Sequence, residues 1–346
     1  MTDARMLSAK SLCIVAAIAL YLAMVASISV GPMNISFWDS MKSLIPASSD
    51  GLPAHITMIV QQVRLPRTLL AIAVGGILAI SGAVMQGLFR NPLADPGIIG
   101  VSSGAALGAA IAIVLFGELA AQYPNLLLFG TVPMFACIGG ALTTFIVYRL
   151  GTGSTGTSVT MMLLAGVAIS ALAGAALGLL NYFADDQALR DLSLWTMGSL
   201  AGANPKSLWL AFSTLLILFV VYYCDANKLN AMLLGEAEAR HMGINVQALK
   251  RRLIILAAAG VGVTVALSGM IGFIGLIVPH LARMMIGPNY KSLLPVTLLM
   301  GALLLLIADM MARTVVAPLD MPVGIVTALL GAPFFVWLLI KQKGRL

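Results

Sequence analysis

The side chains best suited to metal ligation, nucleophilic attack or proton transfer are few: three histidines, three cysteines and 13 carboxylates in 346 residues. His55, His241 and His280 lie far apart, and none shows H-x-x-x-H or another ligand spacing, so no metal site is expected. Cys13, Cys137 and Cys224 each sit in an apolar run with neither paired nor ligand spacing, which suits small packing residues. The stretch "GTGSTGTS" (151–158) lacks the lysine of a phosphate-binding loop and reads as a flexible inner loop. Asp185, Asp186, Arg190 and Asp191 have no nearby histidine and read as a short amphipathic helix, with Arg190 able to neutralise one acid. Asp309 has Arg313 four residues on. The two could pair on one helix face, Arg313 could dock a partner, or Asp309 could relay protons. Nothing resembles an activated nucleophile or a paired acid and base, so neither an enzyme nor a resident cofactor is expected.

The densest charge lies in "LLGEAEARHMG", Leu233 to Gly243, where Glu236, Glu238, Arg240 and His241 interrupt a chain with only 10% charged residues. Glu236 to Arg240 are good helix formers, Glu236 and Arg240 make a stabilising i,i+4 pair, and Gly235 and Gly243 bracket them. Such an island must sit in water, where a partner can touch it.

The elements that carry these residues follow from composition. Hydrophobic residues make up 60% of the chain and mean hydropathy is +1.01, well above the roughly 45–50% apolar content of soluble domains. Apolar runs near 12–30, 68–89, 98–117, 127–148, 159–182, 207–223, 253–287, 292–312 and 322–340 approach or reach the ~20 residues of a spanning helix. They are apolar throughout rather than alternating, which excludes a transmembrane β-barrel. The first run is too long for a signal peptide and is expected to be retained. The seventh is either one tilted helix or two spans broken at Gly269, Gly272 and Gly275. Basic residues at both ends (Arg5 and Lys10; Lys341, Lys343 and Arg345) place both termini inside, so parity favours ten spans. Fourteen of the 20 cationic side chains then face the cytoplasm, leaving Lys42, Arg64, Arg67, Arg190, Lys206 and Arg313 outside. The net charge of +7 is a loop bias of this kind, not a nucleic-acid footprint. The expectation is one all-α transmembrane domain over 1–346.

Two further patterns stand out. In the fifth run Gly166, Ser170, Gly174 and Gly178 form a ridge of small residues, suited to helix packing, to a wide pathway or to a dimer interface. In "QQVRLPRTLLA", Arg64 and Arg67 flank Pro66, as if a rigid turn presented two cations, either as interfacial anchors or for a partner's carboxylates. The spans are nearly free of ionisable residues. That weakens an ion-coupled carrier and leaves a transporter energised by a partner, or a structural or receptor subunit.

Four stretches together resemble a known family: "RLPRTLLAIAVGGILAISGAVMQGLFRNPLADPGIIGVSSGAALG" (64–108), "LLGEAEARHMGINV" (233–246), "GMIGFIGLIVPHLARMMIGPNYKSLLP" (269–295) and "GALLLLIADMMARTVVAPLDMPVGIVTALLGAPFF" (301–335). They look like the permease subunits of bacterial ABC importers for iron-siderophores, haem and vitamin B12, the large-substrate (type II) kind with ten spans. The resemblance implies a second copy of the chain, two cytoplasmic ATPase subunits and a periplasmic substrate-binding protein. It implies coupling helices at about 226–249, between spans six and seven, with Leu234, Gly235, Glu236, Ala239, Arg240 and Gly243 meeting the ATPase. It assigns Arg64, Arg67 and Arg313 to docking of the binding protein. "NPLADPG" (91–97) matches the inner turn after span two, and His280 belongs to the family motif rather than to a haem site. The segment 181–203 looks most like the haem branch, with ferric siderophore next and cobalamin third. What the resemblance implies overall is an inner-membrane permease importing haem by alternating access.

Overall fold

The computed structural model describes residues 8–45, 52–92, 94–122, 130–153 and 156–343. Arg5 and Arg345, used above to orient the termini, lie outside the described residues, as do Leu93, 127–129 and 154–155. The helices in chain order are α1 (Ala9–Ser29), α2 (Phe37–Ser43), α3 (Ala54–Met58), α4 (Leu65–Leu88), α5 (Val101–Gln122), α6 (Thr131–Leu150), α7 (Val159–Phe183) and α8 (Asp186–Met197). They continue as α9 (Pro205–Cys224), α10 (Ala226–Leu234), α11 (Glu236–His241), α12 (Val246–Ser268), α13 (Ile274–Ile286), α14 (Tyr290–Thr314) and α15 (Val323–Lys343). A small antiparallel hairpin, β1 (Thr152–Gly153) and β2 (Gly156–Thr157), joins α6 to α7. Among the described residues, 7 helical segments are long and apolar enough to cross a membrane. Shorter apolar helices at Val101–Gly117, Ile274–Ile286 and Val323–Leu338 accompany them.

Local chemistry sets several helix starts. The Ser158 hydroxyl and the Asn245 and Asn289 side chains accept first-turn N–H groups of α7, α12 and α14. Asn204 and Ser207 form a reciprocal capping box ahead of α9, with Pro205 in the first turn, where its missing N–H costs nothing.

Pro66 does not turn the chain, which corrects the expectation of a rigid turn there. One helical segment runs from Ala54 to Leu88, because a π-helical stretch at Ile59–Arg64 leads directly into α4 and places Pro66 in the first α-helical turn. Between α12 and α13 the chain breaks over Gly269–Phe273, with positive φ at Gly269 (66°) and Phe273 (69°). Gly275 lies inside α13, not at the break.

α4 is the central post. In its segment 89% of the most apolar window is buried, against 11% for α7. Its glycines allow backbone to meet backbone. A Cβ on Gly82 would stand 1.9 Å from the Gly275 carbonyl oxygen on α13, and one on Gly75 would stand 2.4 Å from that of Gly301 on α14. Neither neighbour is a flexible side chain, so neither can yield. Gly82→Ala is therefore expected to destabilise the folded chain by about 2–3 kcal/mol. Gly174→Ala on α7, where a Cβ would meet nothing within 4 Å, should not destabilise the chain and should gain up to about 1 kcal/mol, because alanine is the better helix former. Thermal unfolding of the two variants in detergent compares them directly.

Candidate functional site

Two polar assemblies sit at opposite ends of the bundle. At the first, α9 runs into α10 through Asp225, a buried carboxylate that receives Lys228 Nζ at 3.0 Å and an Arg252 guanidinium N–H from α12. α10 buries Ala226, Leu229, Ala231 and Met232, and the Asn230 amide oxygen accepts the Tyr290 N–H at 2.8 Å at the start of α14. Gly235 then reverses the chain at φ 134°, a conformation open to glycine and strained for other residues. α11 follows, anchored by fully buried Ala239 and by Glu236, whose Oε1 lies 2.5 Å from Lys250 Nζ of α12. The Glu236–Arg240 pair spans 3.6 Å. Leu234 is 68% exposed, and Arg240, His241, Met242 and Gly243 are exposed beside it. A neighbouring groove of about 510 Å³ is rimmed by Lys228, Arg251 and Arg252. The result is a rigidly seated pair of short helices presenting two apolar side chains among charged ones.

The second assembly gathers the three arginines. Arg64 donates to the carbonyls of Ile28 (3.1 Å) and Ser29 (2.6 Å), which the end of α1 leaves free, and to that of Met33 (2.6 Å) in the segment beyond it. Arg67 donates Nε–H to Asp309 at 2.8 Å and forks onto both oxygens of Asp320 at 2.5 and 3.1 Å. Arg313 reaches Asp309 at 3.1 Å and donates to the Ser27 hydroxyl at 2.7 Å, which bonds Thr68 at 2.7 Å. Arg64, Arg67 and Arg313 are 3%, 5% and 3% exposed. They are therefore engaged within the chain and do not stand as free cations at its surface. The reason is local supply: carbonyls from α1 and carboxylates from α14 and the following loop use up the guanidinium donors inside the bundle. Asp320 was missed from the sequence, because nothing local pairs it with a residue 253 positions away. Only the Asp309–Arg313 contact had a legible signal, its i,i+4 spacing.

The other expected residues divide. On α7, Gly166 is buried and the Ser170 hydroxyl bonds that of Ser103 on α5 at 3.0 Å, while Gly174 and Gly178 are exposed, facing open space. The ridge is thus half packed and half uncovered in the single chain. Asp185 caps α8 by accepting the Ala188 N–H at 2.7 Å, and Asp191 accepts from Gln187 at 2.9 Å rather than from Arg190. Beside α8 opens a cavity of about 1170 Å³ lined by Asp191, Trp195, Asn204, Lys206 and Ser268 among others. In the 91–97 turn the Asp95 carboxylate accepts the Gly97 N–H at 2.7 Å, and desolvation raises its pKa against that bond.

Removing one member of a buried ionic cluster strands its partner. Arg67→Met leaves Asp309 with Arg313 alone and Asp320 with none of its present donors, and should destabilise the chain by about 3 kcal/mol. Asp320→Asn, at a side chain 40% exposed, should cost no more than about 1 kcal/mol. Thermal unfolding in detergent separates them. Equal losses would mean that the cluster is held through Asp320 and not through Asp309.

The FecCD transport family matches residues 19–341. The chain is 47% identical over 317 residues to the hemin transport system permease protein HmuU of Yersinia pestis, covering 92% of this chain and 91% of that protein. It is 42% identical over 296 residues to the vitamin B12 import system permease protein BtuC of Salmonella typhi, covering 86% and 88% respectively. A solved chain from an inward-facing metal-chelate type ABC transporter superimposes with a TM-score of 0.82 at 35% identity, covering 96% of this chain and 99% of that one. Another, PsaBC from Streptococcus pneumoniae in complex with Fab, shares the fold at a TM-score of 0.55 and 18% identity, covering 81% and 92%. Matched along nearly its whole length, with apolar helices long enough to span a membrane, this chain belongs to the FecCD transport family.

Proposed function

We propose that the chain is the membrane-spanning permease subunit of an ATP-driven importer that moves haem (hemin) from periplasm to cytoplasm by alternating access. The observation that carries the substrate is the 47% identity to a hemin permease along 92% of the chain. In this reading the ten apolar helices cross the inner membrane, both termini are cytoplasmic, and two copies assemble around the pathway. The uncovered half of the small-residue ridge on α7 suits that pathway or the contact between copies. α10 and α11 are the cytoplasmic coupling helices, and Leu234, Gly235, Glu236, Ala239, Arg240 and Gly243 form and support the face that two ATPase subunits grip. Exposed Leu234 and Met242 amid charge support it, because apolar anchors inside a polar rim are what a partner groove recognises. A periplasmic binding protein docks at the opposite end, where the arginine cluster holds the seat in shape from beneath and does not contribute free charge. Asp309, enclosed by Arg67 and Arg313, is a poor proton relay, which weakens an ion-coupled carrier.

A second reading, cobalamin as the solute, is favoured by the 42% identity to a vitamin B12 permease. Reconstitution with the cognate ATPase and binding protein, followed by uptake of hemin, cobalamin and a ferric siderophore, decides between them. Hemin uptake dependent on ATP is expected, and cobalamin uptake without hemin uptake would reverse the order.

The coupling face makes its own prediction. Leu234→Asp should weaken ATPase association at least about tenfold, as expected when a charge replaces an apolar anchor. Co-purification and titration of ATPase onto the reconstituted permease read it out. Unchanged association would remove α10 and α11 from the contact.

A further inference from the structure

Lys250 is a buried cation in a place where a membrane protein had no local need for one. Its side chain is 3% exposed, on the first turns of α12. Burying an ammonium is costly unless its donors are used. Here Nζ is shared between two different elements: Glu236 Oε1 of α11 at 2.5 Å and the Thr157 carbonyl of β2 at 3.3 Å. Three residues earlier, on the same face of α12, the Gln247 amide oxygen accepts the Thr157 N–H at 3.0 Å. Both backbone groups of Thr157 are thus held by α12 side chains. The next residue, Ser158, donates its N–H to the Gly151 carbonyl at 2.9 Å, and its hydroxyl caps α7 through Met161 N–H at 3.4 Å. An unbroken line of polar contacts runs from α11 through Lys250 to the hairpin and into the first turn of α7.

α7 itself is thinly held elsewhere. Only 11% of its most apolar window is buried, and its outer glycines meet nothing. Its fixed points in the single chain are this first turn, buried Met162, Gly166 and Ala173, and the Ser170–Ser103 bond, all in its first fifteen residues. A helix anchored along one half follows that half when it moves.

We propose that Lys250 is the positioning residue that binds α11, the first turns of α12 and the β1–β2 hairpin into one mechanical unit, so that displacement of α11 by the ATPase is delivered to α7. This rests on the reading of α10 and α11 as the ATPase contact. Arg252 and Lys228, by comparison, close on Asp225 and tie only α9, α10 and α12. Lys250 alone of these cations reaches the hairpin.

The test is uptake per ATP hydrolysed, measured on the full permease–ATPase–binding-protein complex in proteoliposomes. Lys250→Met should lower that ratio about tenfold, a coupling loss of ordinary size, while ATPase association and hydrolysis persist. A double reversal, Glu236→Lys with Lys250→Glu, re-forms the ion pair but leaves no donor for the Thr157 carbonyl. It should stay uncoupled, and recovery would show that the ion pair alone matters and overturn the relay. Gln247→Ala removes the other α12 contact to the hairpin, the acceptor of the Thr157 N–H, and keeps the charge pair intact, so it decides the matter if Lys250→Met fails to fold. A fall in the ratio supports the relay and a wild-type ratio overturns it. Loss of ATPase association by Lys250→Met would place Lys250 in the docking face instead, which also overturns the relay. The coupling-face reading fails separately, through Leu234→Asp retaining the ATPase, whatever Lys250→Met does.

Discussion

The backbone of α4 touches the backbones of α13 and α14, and the rest of the bundle is arranged around that approach. Gly75 faces Gly301 and Gly82 faces Gly275 with no space for a Cβ. In lipid there is little hydrophobic drive between helices, so close packing and buried polar contacts must do the work that water does elsewhere. The contact also aligns chemistry at both ends of one post. Near its start α4 carries Arg67 into the cluster with Asp309 and Asp320. Near its end Gln86 donates to the Gly275 and Leu276 carbonyls and accepts from Arg283, and Tyr290 donates to the Ala83 carbonyl at 3.0 Å. The Gly275 carbonyl needs such a partner, because Pro279, four residues on inside α13, has no N–H to return to it.

Several buried charges lie at the two ends of the bundle and are partnered there. Arg67 and Arg313 meet carboxylates, Arg64 meets three carbonyls, and Lys250 meets a carboxylate and a carbonyl. Such groups add little net stability compared with apolar packing, but breaking one is costly because the survivor cannot return to water. They therefore specify which segments stay together. At one end they tie α1, α4, α14 and the loop before α15. At the other they tie the α9–α12 corner and the hairpin before α7.

The packing is uneven in a way that suits movement. α4 is enclosed, while α7 is uncovered along most of its length in the single chain. A transporter has to shift some helices against others, and those shifts are drawn from weakly packed elements. The short helices α10 and α11 combine a firm seat with an exposed apolar tip at Leu234.

Much of this was legible in the chain itself, wherever the cause is local. Apolar runs of spanning length marked the helices, glycines marked the break before α13, and i,i+4 spacing predicted the Glu236–Arg240 and Asp309–Arg313 pairs. Four ordered motifs also carried the family. The tertiary structure alone decided which charges are free. Arg64 and Arg67 looked like cations on a turn, yet a π-helical stretch removed the turn and partners 31 to 253 residues away buried them. Lys250 looked like one more basic loop residue and became the junction of α11, α12 and β2. The small-residue ridge read as continuous but split into a packed half and an open half. Spacing along a helix determines what a residue can touch within a turn or two, and the sequence states it outright. Burial of a charge depends on which distant element supplies its partner, and that is decided only when the helices pack.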